Sequence, residues 1–205
     1  FNHEKRYDFP LYPEENHRIL GLCRYWNALN YFYAYKELID GDWEELLEEF
    51  IPRVLNASDA EGYHLSILEL AARTKDSHNS VRSNPLWMKF GSYFAPCQLV
   101  YMDDKYVVSR VFAEYLEYPG QLQRGDIIVK RNDVTVESFR ESMRKYVVAS
   151  NDAAFHFTFG KMFLQATPED RIEFTISRGG QVMNINLPTI NYSAHRRAVS
   201  EATAE

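Results

Sequence analysis

Histidine is the side chain best suited to moving protons near neutral pH. Of the six in this sequence, His78 has the most useful neighbours. It closes the segment Thr74-Lys75-Asp76-Ser77-His78 at the expected end of a helix. A serine hydroxyl is a weak nucleophile until a base accepts its proton, and an imidazole at such a position could be that base. The competing reading is a solvated loop histidine after a helix. Ser77 itself is a poor nucleophile, because no glycine elbow surrounds it and no second base stands near it. Asp76 reads as a C-terminal turn residue, since side chains two apart on a helix do not face each other. His3, His17, His64, His156 and His195 lack the His-x-x-x-His spacing with a carboxylate that holds a metal. No glycine-rich phosphate loop occurs either, so the expectation is no metal and no cofactor. Cys23 and Cys97 are free thiols or one disulfide, and the residues leave that open.

The elements that must position these residues follow from periodicity. Residues 14 to 78 read as three helices. Pro13 suits a first helical position. Ile19, Leu20, Cys23, Trp26, Leu29 and Phe32 or Tyr33 then recur at helical spacing. Asp40-Gly41 breaks the pattern. Asp42 caps a second helix with Glu45 as its capping-box partner, and Trp43, Leu46, Leu47, Phe50 and Val54 face inward. Pro52 must end or kink that helix. Ser58 and Glu61 form the next capping box, and Tyr63, Ile67, Leu70 and Ala71 face inward on a third helix. The stretch from Asn79 to Lys89 reads as a linker.

After Phe90 the period shortens to two. Residues 98–102, 106–112, 126–131 and 134–136 are strand-like. Asp103-Asp104 is a turn. Residues 137–148 form an amphipathic helix with Phe139, Met143, Tyr146 and Val147 on one face. Residues 153–165 fit a very aromatic helix or a strand. Residues 171–177 and 181–187 alternate around Gly179-Gly180, a hairpin. Residues 191–205 offer no apolar face and are expected to be a loose tail.

Composition bounds the function classes. The 205 residues carry 23 basic and 29 acidic side chains, a net charge of −6, with no basic run. Such a chain repels phosphate backbones, so nucleic acid is not an expected partner. No apolar run approaches the roughly 20 residues that span a bilayer. The first residue is Phe1 rather than Met, the expectation being a processed or trimmed protein.

Two segments carry a resemblance. Residues 122–136, Leu122-Gln123-Arg124-Gly125-Asp126-Ile127-Ile128-Val129-Lys130-Arg131-Asn132-Asp133-Val134-Thr135-Val136, are similar to the central signature of PDZ domains, with Asp133 where that family usually has glycine. Residues 106–111 and the hairpin at Gly179-Gly180 also match. In the first half, residues 18–27, Tyr31-Phe32, Asp42-Trp43, Phe50-Ile51-Pro52, Tyr63 and Asp76-Ser77-His78 resemble the helical domain of tricorn-like and C-terminal-processing serine peptidases. The two occur in that family's order and cover most of residues 14–188.

The resemblance implies an α+β protein. It implies a helical N-terminal domain (1–84), a PDZ-like, partly open β-barrel with helices (85–190), and a tail or linker (191–205) to a peptidase core that this chain does not contain. It implies His78 as the base for that core's serine. It implies peptide capture by Gly91, Ser92, Tyr93 and Phe94, which match the carboxylate-holding loop, with Phe139 and Met143 lining a groove helix. The expected partners are a peptide or protein substrate and a C-terminal core of the same polypeptide. The expected location is periplasmic or extracellular. By itself the chain is expected not to cleave peptides. The alternative reading is a non-enzymatic peptide-binding or scaffold protein of the cell envelope.

Overall fold

The computed structural model describes residues 9–39 and 41–201; His3, Asp40 and the last four residues of the expected tail lie outside them. Helices come first, in α1 (Glu15–Phe32), α2 (Trp43–Leu55) and α3 (Ala60–Arg73). They pack around Leu22, Trp43, Leu46, Phe50, Val54 and Leu70. The inner face of α2 is the one its spacing predicts. On α1 the expected residues Ile19, Trp26, Leu29 and Tyr33 pack against this core, whereas Leu20 and Phe32 point outward and Leu22 and Arg18 are buried beside them. Arg18 fits inside because its guanidinium donates to the carbonyls of Val54 and Ala57, at 2.9 and 3.0 Å, and lies over the Tyr12 ring. A buried charge needs such partners to be tolerated.

Local chemistry explains the helix boundaries. Asp42 accepts from Glu44 N–H, as an N-cap should. Pro52 lies inside α2, which runs on to Leu55. The third cap falls one residue later than expected. Asp59, not Ser58, accepts from the Gly62 N–H.

The expected linker contains a short helix, α4 (Asn84–Phe90), capped by Ser83, with Pro85 and Leu86 buried. A proline at the start of a helix loses no hydrogen bond, which makes this turn cheap to form. The rest is sheet with helices laid on it. A long sheet runs β2-β3-β4-β7-β8, from β2 (Cys97–Met102), β3 (Lys105–Val111), β4 (Ile127–Arg131), β7 (Arg171–Arg178) and β8 (Gln181–Pro188). β5 (Val134–Thr135) pairs with β4. A small sheet runs β6-β1-β9, from β1 (Tyr93–Phe94), β6 (Ala166–Thr167) and β9 (Ile190–Asn191). All the pairings are antiparallel. The long sheet does not close into a barrel, since β2 and β8 pair on one side only, whereas a partly open barrel was expected. The α+β class stands.

Three reversals in this sheet have both central residues at positive φ: Asp103-Asp104, Asn132-Asp133 and Gly179-Gly180. That backbone twist matches the strands it joins. Asp133 therefore occupies a position where glycine would be relaxed, and a short polar side chain tolerates it. Helix α5 (Val136–Met143) continues as one 3-10 turn to Tyr146. Residues 153–165 resolve as helix: α6 (Asp152–Phe159) followed by a π-helical turn (Gly160–Leu164). Phe155, Phe159 and Phe163 recur at four-residue steps and all point into the core.

The expected loose tail is helix α7 (Tyr192–Glu201) over its described part. His195 and Ala198 bury against Phe112 and Ile190. Tyr192, Ala194, His195, Ala198 and Val199 dock it, an apolar face of small and aromatic side chains where none was expected. Cys23 and Cys97 are free thiols, and burial pushes the Cys97 thiol up to about 12. No helix among the described residues is long and apolar enough to cross a membrane.

Candidate functional site

The segment after α3 is tied down from three directions. Lys75 leaves the helix at positive φ, and Thr74 is buried, its hydroxyl donating to Ala71 O at 2.7 Å. Tyr33 Oη donates to the Thr74 carbonyl at 3.1 Å, and the Asn79 amide donates to Tyr25 Oη and to Thr74 Oγ1. From the far side, Ser77 and Ser150 clasp one another. The Ser77 N–H donates to Ser150 Oγ at 2.9 Å, and the Ser150 N–H donates to Ser77 Oγ at the same distance.

Between these anchors stands His78, 96% exposed. Asp76 Oδ1 accepts from the His78 N–H at 3.0 Å and lies 3.1 Å from His78 Nδ1. A carboxylate facing Nδ1 selects the tautomer with hydrogen there, which leaves the Nε2 lone pair free and pointing to open surface. Residues 76–79 form a turn, closed by Asn79 N–H to Asp76 O at 2.9 Å. The sequence reading of Asp76 as a turn residue holds, but its separation from His78 does not. The helix rule fails because the helix has already ended. An aspartate that bonds the N–H two residues on is a common turn device, and that was the signal available in Asp76-Ser77-His78.

Burial and nearby charge also mark Tyr25 and Tyr33. Both phenols titrate above their ordinary range, first through desolvation and then through the Asp76 carboxylate. They stay neutral and act as hydrogen-bonding props for the turn.

The residues expected to capture peptide divide between two neighbourhoods. Gly91 is buried at φ 108°, and its backbone presses on Thr167, where a Cβ would lie 2.0 Å from the Thr167 carbonyl carbon. Only glycine fits there. Tyr93 and Phe94 form the central strand of the small sheet, with β6 on one side and β9 on the other. The Ser92 carbonyl accepts from the Tyr192 N–H at 3.1 Å. Phe94 is core, ringed by Tyr192 and His195. Phe139 and Met143 pack on the larger core from α5. The Phe139 ring lies 5.6 Å from Phe159, and the Arg131 guanidinium sits 4.9 Å from it.

Two further polar residues were not singled out from the sequence. His156 stacks on Tyr101 at 3.5 Å and lies 2.7 Å from the Tyr106 hydroxyl through Nδ1. Desolvation first, and then the Arg140 charge, hold its pKa below the ordinary histidine range. Gln165 is buried beside β2. No sequence pattern marks a lone polar residue that pairs across the fold. Among the described residues no cluster of three His, Cys, Asp or Glu side chains could hold a metal.

No family model matches the chain, and no curated protein matches it. Among solved structures it is similar to a photosystem II D1 C-terminal processing protease, at 14% identity and a TM-score of 0.41, over 85% of this chain. The chain spans 44% of that protease's length. A likeness so loose fixes neither the fold nor the function.

Proposed function

We propose that this chain is the front part of a serine endopeptidase, in which His78 serves as general base for a serine on an α/β core of the same polypeptide. The observation that supports this most is the pairing of Asp76 with His78 Nδ1 on a ring left almost wholly exposed. A general base needs one nitrogen oriented and the other free to reach a hydroxyl, and this turn supplies both conditions. Asp76 is then a positioning residue, and Tyr25, Tyr33 and Ser150 hold the turn that carries it. The ordered sequence motifs in residues 18–78 and 122–136 support the same reading.

The proposal extends to substrate handling. Extended peptide adds along the outer edge of β2, in the manner of PDZ domains, with Phe139 and Met143 lining its side-chain pockets and the Gly91–Phe94 segment near its end. β2 pairs as a strand only with β3, so its other edge carries no strand partner. The expected compartment is periplasmic or extracellular.

The test is cleavage of a fluorogenic peptide by the natural polypeptide carrying His78→Ala. Cleavage should be lost while the circular dichroism spectrum is unchanged, because an exposed side chain contributes little to the fold. Turnover at the wild-type rate removes His78 from the mechanism.

A further inference from the structure

A sheet edge offers its outward N–H and C=O groups to any strand that fits, and proteins cover such edges with a helix or loop where addition is unwanted. This chain's own residues 152–165 pack against the β2–β3 hairpin and meet the outer edge of β2 at Gln165. At one end His156 stacks on Tyr101 at 3.5 Å and pairs with the Tyr106 hydroxyl. In the middle Gly160 lets the segment press on the ring of Tyr106 from the adjoining β3, which a Cβ there would meet at 3.2 Å. At the other end lies Gln165, 3% exposed. Its carboxamide is oriented by two partners. In the amide orientation that satisfies both neighbours, the NH2 donates to the Cys97 carbonyl at 3.0 Å and the oxygen accepts from the Leu99 N–H at 3.2 Å. That donor–acceptor pair is what the N–H and C=O of one residue of an added parallel strand would offer β2. The Gln165 main chain is fixed as well, its carbonyl accepting from the Ala95 N–H at 3.0 Å.

The segment thus runs along β2 from Tyr101 back to Cys97, and one side chain imitates a strand's backbone. Its C-terminal half is a π turn, in which Gln165 N–H reaches Gly160 O at 3.3 Å. A π turn is a looser helical bond pattern and is often found where a helix serves function.

We propose that residues 152–165 form an intramolecular strap that occupies the peptide-accepting edge of β2, so that an extended peptide binds only when the Gln165 carboxamide is displaced. The inference rests on the peptide-addition reading above and adds what regulates it. The competitor is an extended backbone, whose peptide units make the same two bonds and continue them along the strand.

The test compares wild type, Gln165→Met and His156→Ala. Gln165→Met keeps the length of the side chain but removes both bonds. Binding of a fluorescein-labelled heptapeptide of alternating threonine and valine, with a free Ala-Ala carboxyl end, is read by anisotropy. Exchange of the Leu99 amide is followed in parallel. Gln165→Met should bind at least about tenfold more tightly than wild type, and the Leu99 amide should exchange about tenfold faster, the scale of one or two hydrogen bonds. His156→Ala, which frees only the far end of the strap, should show a smaller gain of about threefold. If wild type and both variants bind equally, the strap is not a barrier, although the edge still takes peptide. If folded variants and wild type all fail to bind, the strap and the peptide-addition reading fall together. Should Gln165→Met not fold, an unchanged affinity in His156→Ala overturns the proposal by itself.

Discussion

The two regions that could act on a substrate are built in opposite ways. The turn carrying His78 is held rigidly from behind and left bare in front. The β2 edge is held by its own sheet partner and met in front by residues 152–165 at Gln165. In the role proposed for His78, the imidazole must reach a reacting atom that comes from elsewhere, and an open face serves that role. An open strand edge is a liability, because it pairs with any extended chain it meets. Under the proposed function, exposure marks the first region and concealment the second, and a search for open clefts alone would miss the edge.

The largest effect should come from breaking what keeps the β module rigid behind its strap. Asp126, 1% exposed, accepts two bonds from Arg178 at 2.7 Å each and one from the Gln123 N–H at 2.8 Å. Asp126→Ala leaves Arg178 without its carboxylate and should destabilise the protein by about 3 kcal/mol, the lower end for buried pairs because Arg178 stays a quarter exposed. Urea unfolding reads this directly. An unchanged midpoint would mean that the β module does not depend on this pair. Second in size is Asp76→Asn, which keeps the turn but weakens the choice of tautomer at His78. Peptide cleavage by the natural polypeptide should fall by about 30-fold, mainly in kcat, with the pH profile altered. A loss confined to KM would assign Asp76 to binding rather than to orienting the base.

The smallest expected effect concerns His195, which lies buried between Phe94 and Phe112. Desolvation holds its pKa below the ordinary 6.5, with Lys161 adding to the lowering and the hydrogen bond to the Cys97 carbonyl opposing it. The unfolded chain therefore binds the proton more readily than the folded one, and stability is lost as pH falls below about 6.5. His195→Gln should flatten that slope in thermal unfolding between about pH 5 and 7. A slope that persists would place the titrating group elsewhere.

Much of this was legible in the sequence where a single element carries the signal. The inward face of α2, the β3, β4, β7 and β8 strands and the three tight reversals follow from spacing and turn residues. Signals that depend on partners far along the chain were not legible. On α1 the burial of Arg18 was not legible, because it depends on the carbonyls of Val54 and Ala57, a partnership no local window displays. The inward face of α7 is made of alanines, Val199 and rings, which the absence of large aliphatic residues hides in the sequence. Asp76 was read as part of a helix end, although the Asx turn it makes is a local pattern. Gln165 gave no signal at all, since its meaning comes from the strand beside it.

The Cys97 carbonyl oxygen serves two masters. It accepts from Gln165 on the strap and lies 3.2 Å from His195 Nε2 on the last helix. An oxygen has two lone pairs, so both guests can sit there together, yet each polarises the atom the other uses. Mutations at 165 and 195, thirty positions apart in the sequence but meeting at one oxygen, are therefore not independent, and their effects on the fold will not simply add.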